Sequence, residues 1–292
     1  MRITAFTIFN QMTRSLQERI KDMFVHSEQL STGKKINKPS DDVFGTISAM
    51  DYKVSLNEIE QYMKNMDEAE SQLGLTDTIM SSVANSLIRA RELAVGAATD
   101  TQTAESRASM AEEVANLRDE VMRLSQTKLR NRYIFSGYKT DTQPFDSGFN
   151  YAGDTNEMNI LTDRDSSIAI NITGDEAFSY GSETFMETLD NLYDSLVNND
   201  APAIRASITS IDNDINQVAN VRASVGARMN YLERVKTTHE DRSLTMKTML
   251  SNTEDADIAG NISELTKIQV ALESLRASGS KVISQSLMDF LG

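Results

Sequence analysis

The chain has 292 residues, of which 39% are apolar and 6% aromatic, with no Trp and only 3 Pro. This composition favours long uninterrupted helices over one thick globular core. A net charge of −14, with no block rich in Lys or Arg, argues against nucleic acid and anionic membranes as partners. The absence of Cys excludes disulfides, thiolate metal sites and cysteine nucleophiles.

Residues 1–35 carry a thin apolar stripe at heptad spacing. Two apolar positions in seven are typical of a coiled-coil seam, whereas a helix on a globular core shows a broader face. The stripe therefore predicts a helix that packs against other helices. Its seam positions are Phe9, Leu16, Ile20, Met23 and Leu30.

The segment 31–42 (STGKKINKPSDD) interrupts the helical pattern, because Gly33 can end a helix and Pro39 forces the residue before it to be extended. Ser40 or Asp41 can cap the helix that follows. A second seam predicts a long helix from Tyr52 to Gly96, with Gly74 as its weak point. The seven-residue series of this helix is Ile59, Met66, Leu73, Met80 and Leu87. A third helix is predicted by the spacing of Met110, Val114, Leu117, Val121 and Leu124.

The period changes to two between about 145 and 181, where Met158 alternates with Ile160 and a row of Ile residues follows between Gly, Asp, Asn and Ser turns. This pattern predicts a small antiparallel sheet inserted between helices, spanning 131–181. From Phe185 the chain is helical again, and Pro202 fits the first turn of a helix that continues over 203–250. At 1.5 Å per residue that helix would be roughly 70 Å long.

The last segment, 258–292, carries a second thin seam that matches the first. Its assembly positions are predicted to be Ile262, Leu265, Ile268, Leu272, Leu275, Val282 and Leu287. We expect the two end helices to be loose in the free chain and to become ordered on assembly.

These elements predict a mainly α protein with a small β-rich insertion. We expect an elongated rod of long coiled-coil-like helices, with the N- and C-terminal helices pairing and the antiparallel sheet at the far end. The predicted domains are a terminal assembly domain (1–50 with 251–292), a helical rod (51–130 with 182–250) and an outer β-rich domain (131–181).

The sequence offers no convincing catalytic, cofactor or metal site. His239 lies in the helical series and is interpreted as a seam residue, and His26 lacks a ligand neighbourhood. The Ser31–Lys34 spacing matches a bare Ser-x-x-Lys, but its companion motifs are missing. The acidic groups Asp41–Asp42, Glu254–Asp257 and Asp212/Asp214 lack calcium-loop spacing and are interpreted as caps or solvated faces. We therefore predict that the protein is not an enzyme and needs no cofactor.

Four segments resemble the bacterial flagellin superfamily: MRIT at the start, LSTGKKINKPSDD (30–42), NRYIFSGYKTDTQPF (131–145) and the closing 262–292. The 131–145 segment resembles the branch of that superfamily that forms the junction between hook and filament. One departure lies next to segment 30–42: after the paired Asp residues this chain has Val43, where this branch commonly has Pro.

The resemblance implies an extracellular structural component of the flagellum, exported unfolded through the flagellar type III apparatus without a cleaved signal. It implies a ring of identical subunits between the hook-proximal junction protein and flagellin, and a cytoplasmic export chaperone that binds the C-terminal helix. Neither nucleic acid nor membrane is an expected partner. Two alternatives remain: a filament-forming flagellin, and a secreted coiled-coil adhesin or effector that binds a partner through the β-rich insertion.

Overall fold

The computed structural model describes residues 5–99 and 102–291, with side chains described at 7, 9–99 and 102–280. The chain is mainly helical, with seven helices and three short strand pairs in these ranges. The helices are α1 (Ala5–Thr32), α2 (Val43–Ala97), α3 (Ala104–Ser125), α4 (Gly174–Phe178), α5 (Phe185–Val197), α6 (Ala201–Glu254) and α7 (Ile258–Leu291). No helix within the described ranges combines the length and the apolar character that a membrane crossing requires.

The residues form two compact units. The terminal unit comprises Met1–Glu58 and Arg242–Gly292, and the central unit comprises Ile59–Asp241. Helices α2 and α6 each contribute residues to both units. The three-domain division predicted from the sequence is a finer one and stays a prediction.

The central unit contains the hydrophobic core. Helices α2 and α6 run antiparallel there, as the order of three ion pairs shows: residues 67, 77 and 91 of α2 meet residues 236, 222 and 212 of α6. The two long helices that the sequence predicts therefore pack side by side. The buried seam side chains include Leu73, Met80, Leu87, Ile211, Val218 and Val225. Helix α3 packs against α5 in the same unit.

The strands form three separate two-stranded pairs, whereas the alternating pattern had predicted one small sheet. All three pairs are antiparallel. They are β1 (Lys128–Leu129) with β2 (Arg132–Tyr133), β3 (Asn159–Asp163) with β4 (Ser166–Ala169), and β5 (Ser179–Tyr180) with β6 (Glu183–Thr184).

A buried aromatic cluster lies in the β-rich insertion. The rings of Phe135 and Phe178 meet edge-on with centroids 4.9 Å apart, and Phe145 meets Phe178 at 5.8 Å. Phe178 also contacts Phe185, the first residue of α5, at 6.2 Å. The β-rich insertion therefore shares its core with the helices of the central unit.

In the terminal unit, α1 and α7 pack against each other within a single chain. The predicted pairing of the end helices is therefore confirmed, and the expectation that these helices become ordered only on assembly stays a prediction. Two contacts explain the close approach: a Cβ at Gly279 would collide with Met12, and His26 Nδ1 lies 2.8 Å from Asn261 Oδ1.

Candidate assembly site

The predicted seam of α1 lies only partly covered in the terminal unit. Leu16, Ile20, Met23 and Leu30 are half-buried, while Phe9 is exposed. Among the described side chains of α1, none is classed as buried. The seam therefore makes its contact with α7 but does not build a closed core.

The seam of α7 is better covered, because it faces α1. Ile268 and Leu272 are buried, and Leu265 and Leu275 are half-buried. Ile262 is exposed. The side chains of the two remaining predicted positions, Val282 and Leu287, lie outside the described residues.

Backbone hydrogen bonds connect the segment between α1 and α2 to the segment between α6 and α7. Lys35 N donates to Glu254 O at 2.7 Å, and Ala256 N donates to Gly33 O at 2.9 Å. Gly33 adopts φ 72, a left-handed conformation that suits glycine at the end of a helix. These two hydrogen bonds make a short antiparallel bridge that connects the two halves of the terminal unit.

Glu254 is the charged centre of this junction, and its side chain is 6% exposed. It accepts a hydrogen bond from Lys34 Nζ, and Lys53 Nζ lies 2.6 Å from its second oxygen. Burial opposes ionisation, but the two ammonium groups outweigh it, and the pKa of Glu254 is lowered from its ordinary value. The carboxylate is therefore held ionised between two helices and a loop.

The loop also borders a cavity of about 310 Å³. Three lysines line it (Lys34, Lys38 and Lys53), and Glu254 is the single acidic residue in its lining. Apolar side chains, Ile36 and Met50 among them, complete the wall. The lining of the cavity therefore combines an excess of positive charge with apolar side chains. The chain as a whole has a net charge of −14.

Exposed apolar side chains are concentrated in the terminal unit, although it is the smaller one. Most of the large apolar residues that are exposed among the described side chains belong to it. They are Phe9, Phe24, Val25, Val43, Phe44, Ile47, Met50, Val54, Leu244, Met249, Ile258, Ile262 and Val270. Among the described side chains of the same unit, the large apolar residues that are buried are Ile268 and Leu272. Exposed apolar surface of this extent is typical of a face that another protein covers.

The sequence pattern missed two parts of this site. The sequence pattern places the start of the second helix at Tyr52, so it does not identify the apolar residues at the true start, Val43 onward, as a stripe. Their spacing of four, three and four was the available signal. Glu254 was interpreted as part of a solvated acidic group, since nothing local in the sequence indicated that two distant lysines would enclose it.

Of the candidate catalytic residues, Lys34 and His239 make structural contacts. The ammonium group of Lys34 is bound to Glu254, and Ser31 is exposed in the last turn of α1. The buried His239 lies in the central unit, with Nε2 2.7 Å from Thr162 O and its ring stacked on Tyr62. In the part of the chain that the structure describes, His, Cys, Asp and Glu side chains form no group that could hold a metal ion.

The fold and the site together define a helical assembly protein, with a well-packed central unit and a terminal unit whose apolar surface is left uncovered. Two family models match the chain, the bacterial flagellin N-terminal helical region over residues 3–140 and the bacterial flagellin C-terminal helical region over residues 208–291. The chain belongs to the bacterial flagellin family, a family of structural flagellar proteins.

Within this family the chain is similar to flagellar hook-associated protein 3. It is 29% identical to that protein of Escherichia coli over 299 residues, covering 94% of each chain. It is 24% identical to a flagellin of Listeria innocua, covering 94% of this chain and 93% of the flagellin. A solved structure described as a flagellar hook-associated protein from Vibrio parahaemolyticus matches 74% of this chain and 100% of its own, with a TM-score of 0.70 and 22% identity.

Proposed function

We propose that this protein joins the flagellar hook to the flagellin filament, as a ring of identical subunits held by their terminal units. The observation that carries the proposal is the uncovered apolar surface of the terminal unit, in a chain whose central unit has a closed core. Neighbouring subunits would bury this surface and add the apolar contacts that one chain lacks.

The neighbours in this proposal are the hook-proximal junction protein on one side and flagellin on the other. The chain reaches them by flagellar type III export without a cleaved signal peptide, held until then by a chaperone on its C-terminal helix. The similarity to hook-associated protein 3 supports these partners. The seam positions from Phe9 to Leu30 and from Ile262 to Leu287 are the proposed assembly interface.

A substitution in α7 tests the proposal. Leu272→Asp places a charge in the buried seam, where burial of an ionised carboxylate is strongly unfavourable. We expect subunit incorporation and swimming to be lost in a host strain that lacks its own copy, while the central unit still unfolds cooperatively on heating. Normal motility with Leu272→Asp would overturn the proposal.

Ser274→Asp is the matched control, because it adds the same charge to an exposed position two residues further along α7. We expect it to incorporate and to support swimming like the unmodified chain. Equal loss with both substitutions would assign the effect to added charge and not to the seam.

A filament-forming flagellin is the second candidate, favoured by the 24% identity to the Listeria flagellin over nearly the whole chain. The two functions differ in what the purified protein does by itself. Long filaments formed from purified subunits at high concentration would favour flagellin, whereas a junction subunit requires a hook end on which to assemble. Restored swimming in a strain that lacks flagellin would also favour the flagellin function.

A further inference from the structure

The first turns of α2 carry an exposed apolar stripe, which we call the α2 seam. Val43, Ile47, Met50 and Val54 are separated by four, three and four residues, and all four are exposed. On a helix these positions fall within about 60° of one another, which is the seam of a two-helix contact. Phe44, which is 85% exposed, borders this stripe.

One side of the α2 seam is positively charged. The lysine-lined cavity includes Met50 of the seam, together with Thr46 and Lys53 of the same helix. Lys38 lies in its wall with a side chain that is 62% exposed, and its ion pair with Glu28 is a solvent-exposed one of small energy. The surface is therefore complementary to a helix with an apolar face and an adjacent carboxylate.

Helix α7 carries a second face with that chemistry. Ile258, Ile262 and Val270 are exposed and lie within a sector of about 120°, next to the seam that packs on α1. Glu273 falls inside the same sector, is exposed, and has no ion pair among the described residues. These four residues form the α7 outer face, which is apolar and carries one carboxylate. Arg276, which is also exposed, lies at the edge of the same sector, in line with Ile258.

We infer that the α2 seam of one subunit binds the α7 outer face of a second copy, with Glu273 of that copy directed at Lys38. This contact deepens the proposed function and rests on it. Because the two surfaces differ, the contact is head-to-tail, and such contacts repeat around a ring or along a helix instead of closing as a dimer. Burial of two apolar stripes supplies the affinity, and the opposite charges fix the register.

Cross-linking between two variants tests the contact, because the chain contains no Cys of its own. Ile47→Cys, carrying an epitope tag, and untagged Ile262→Cys are expressed together in a strain that lacks its own copy, and isolated hook–filament junctions are oxidised. We expect a tagged–untagged dimer at least about tenfold more abundant than from the control pair Tyr180→Cys and Val197→Cys, equally exposed positions of the central unit.

Incorporated subunits that give no mixed dimer, or mainly dimers of Ile47→Cys with itself, would overturn the inference while leaving the proposed function intact. Failure of the unmodified chain to enter the junction would instead contradict the proposed function. The two failures are therefore distinguishable.

Charge reversal gives a second measurement that does not depend on cysteine variants. We expect Glu273→Lys and Lys38→Glu each to lower incorporation about tenfold, and the two together to restore at least half of it. A double variant no better than the single ones would also overturn the inference.

Discussion

Asp214 is a buried carboxylate of the central unit, on α6 beside α5. The residue is 2% exposed, and its Oδ2 atom has no hydrogen-bond partner among the described residues. Burial raises its pKa from 3.8 to about 7; a hydrogen bond from Thr188 opposes this rise, and the negative charge of Glu183 adds to it. The side chain therefore changes its charge near neutral pH.

The stability of the central unit should consequently fall as the pH rises. The pKa of Asp214 in the folded state lies above its pKa in the unfolded state, so the folded state holds the proton more tightly. The contribution of the protonated Asp214 to the free energy of unfolding is therefore fully present below about pH 4. This contribution is lost as the pH rises through about 7 and amounts to a few kcal/mol. Urea unfolding at pH 5 and pH 8 measures the change, and Asp214→Asn should remove most of it.

Asp212→Asn is the control for this prediction. Asp212 lies two residues away on the same helix, with a side chain that is 43% exposed and paired with Arg91. Its replacement should alter the free energy of unfolding by less than about 1 kcal/mol and leave the pH dependence in place. Equal pH dependence in the unmodified chain and in Asp214→Asn would refute the assignment.

Single residues mark the limit of what the sequence could predict. His239 was assigned to the helical seam because of its place in a seven-residue series, and it is buried there. Its hydrogen-bond partner, Thr162 O, is 77 residues distant along the chain. Glu254 and its lysines are separated still further. Periodicity reports which face of a helix is buried, but it does not report which distant polar groups meet there.

At the scale of elements, periodicity predicted the long helices well and their beginnings less well. The seven-residue series of α2, from Ile59 to Leu87, is buried as expected. The start of α2 was placed nine residues late, because Val43, Phe44 and Ile47 look like a loop when they follow Pro39. The cap was also misassigned: Gly45 N donates to Asp42 Oδ1 at 2.9 Å, whereas Asp41 accepts from Asn37 N and Lys38 N.

Two glycines inside the long helices offer a test at this scale. A Cβ added at Gly74 of α2 or Gly226 of α6 would meet no atom within 4 Å. Alanine at either position should stabilise the protein by about 0.5–1 kcal/mol, because glycine loses more backbone entropy when it enters a helix. Urea unfolding at a fixed pH measures the gain.

Gly181→Ala is the matched control for these substitutions. Its surroundings are equally open, but its φ of +67 is a conformation that alanine adopts with strain. We expect a loss of stability there. A loss of stability at Gly74 or Gly226 would contradict the prediction.

At the scale of the whole molecule, the two units differ in how far each can stabilise itself. The connected hydrophobic core runs from Met66 to Leu232 and lies wholly within the central unit. Among its described side chains, the terminal unit buries Ile268 and Leu272 and leaves thirteen large apolar side chains exposed. Composition had indicated a modest core, but only the contacts show that the core is unevenly divided.

Hydrogen exchange on the purified free chain should reveal this division. Local opening costs little where few apolar contacts must be broken, so amides at 5–35 and 258–280 should exchange at least about a hundredfold faster than those at 59–94 and 204–232. On assembled junctions the terminal segments should become protected, because neighbouring subunits then cover their apolar surface. Equal protection of both units in the free chain would mean that α1 and α7 form a self-sufficient bundle, and the drive for assembly would have to come from another surface.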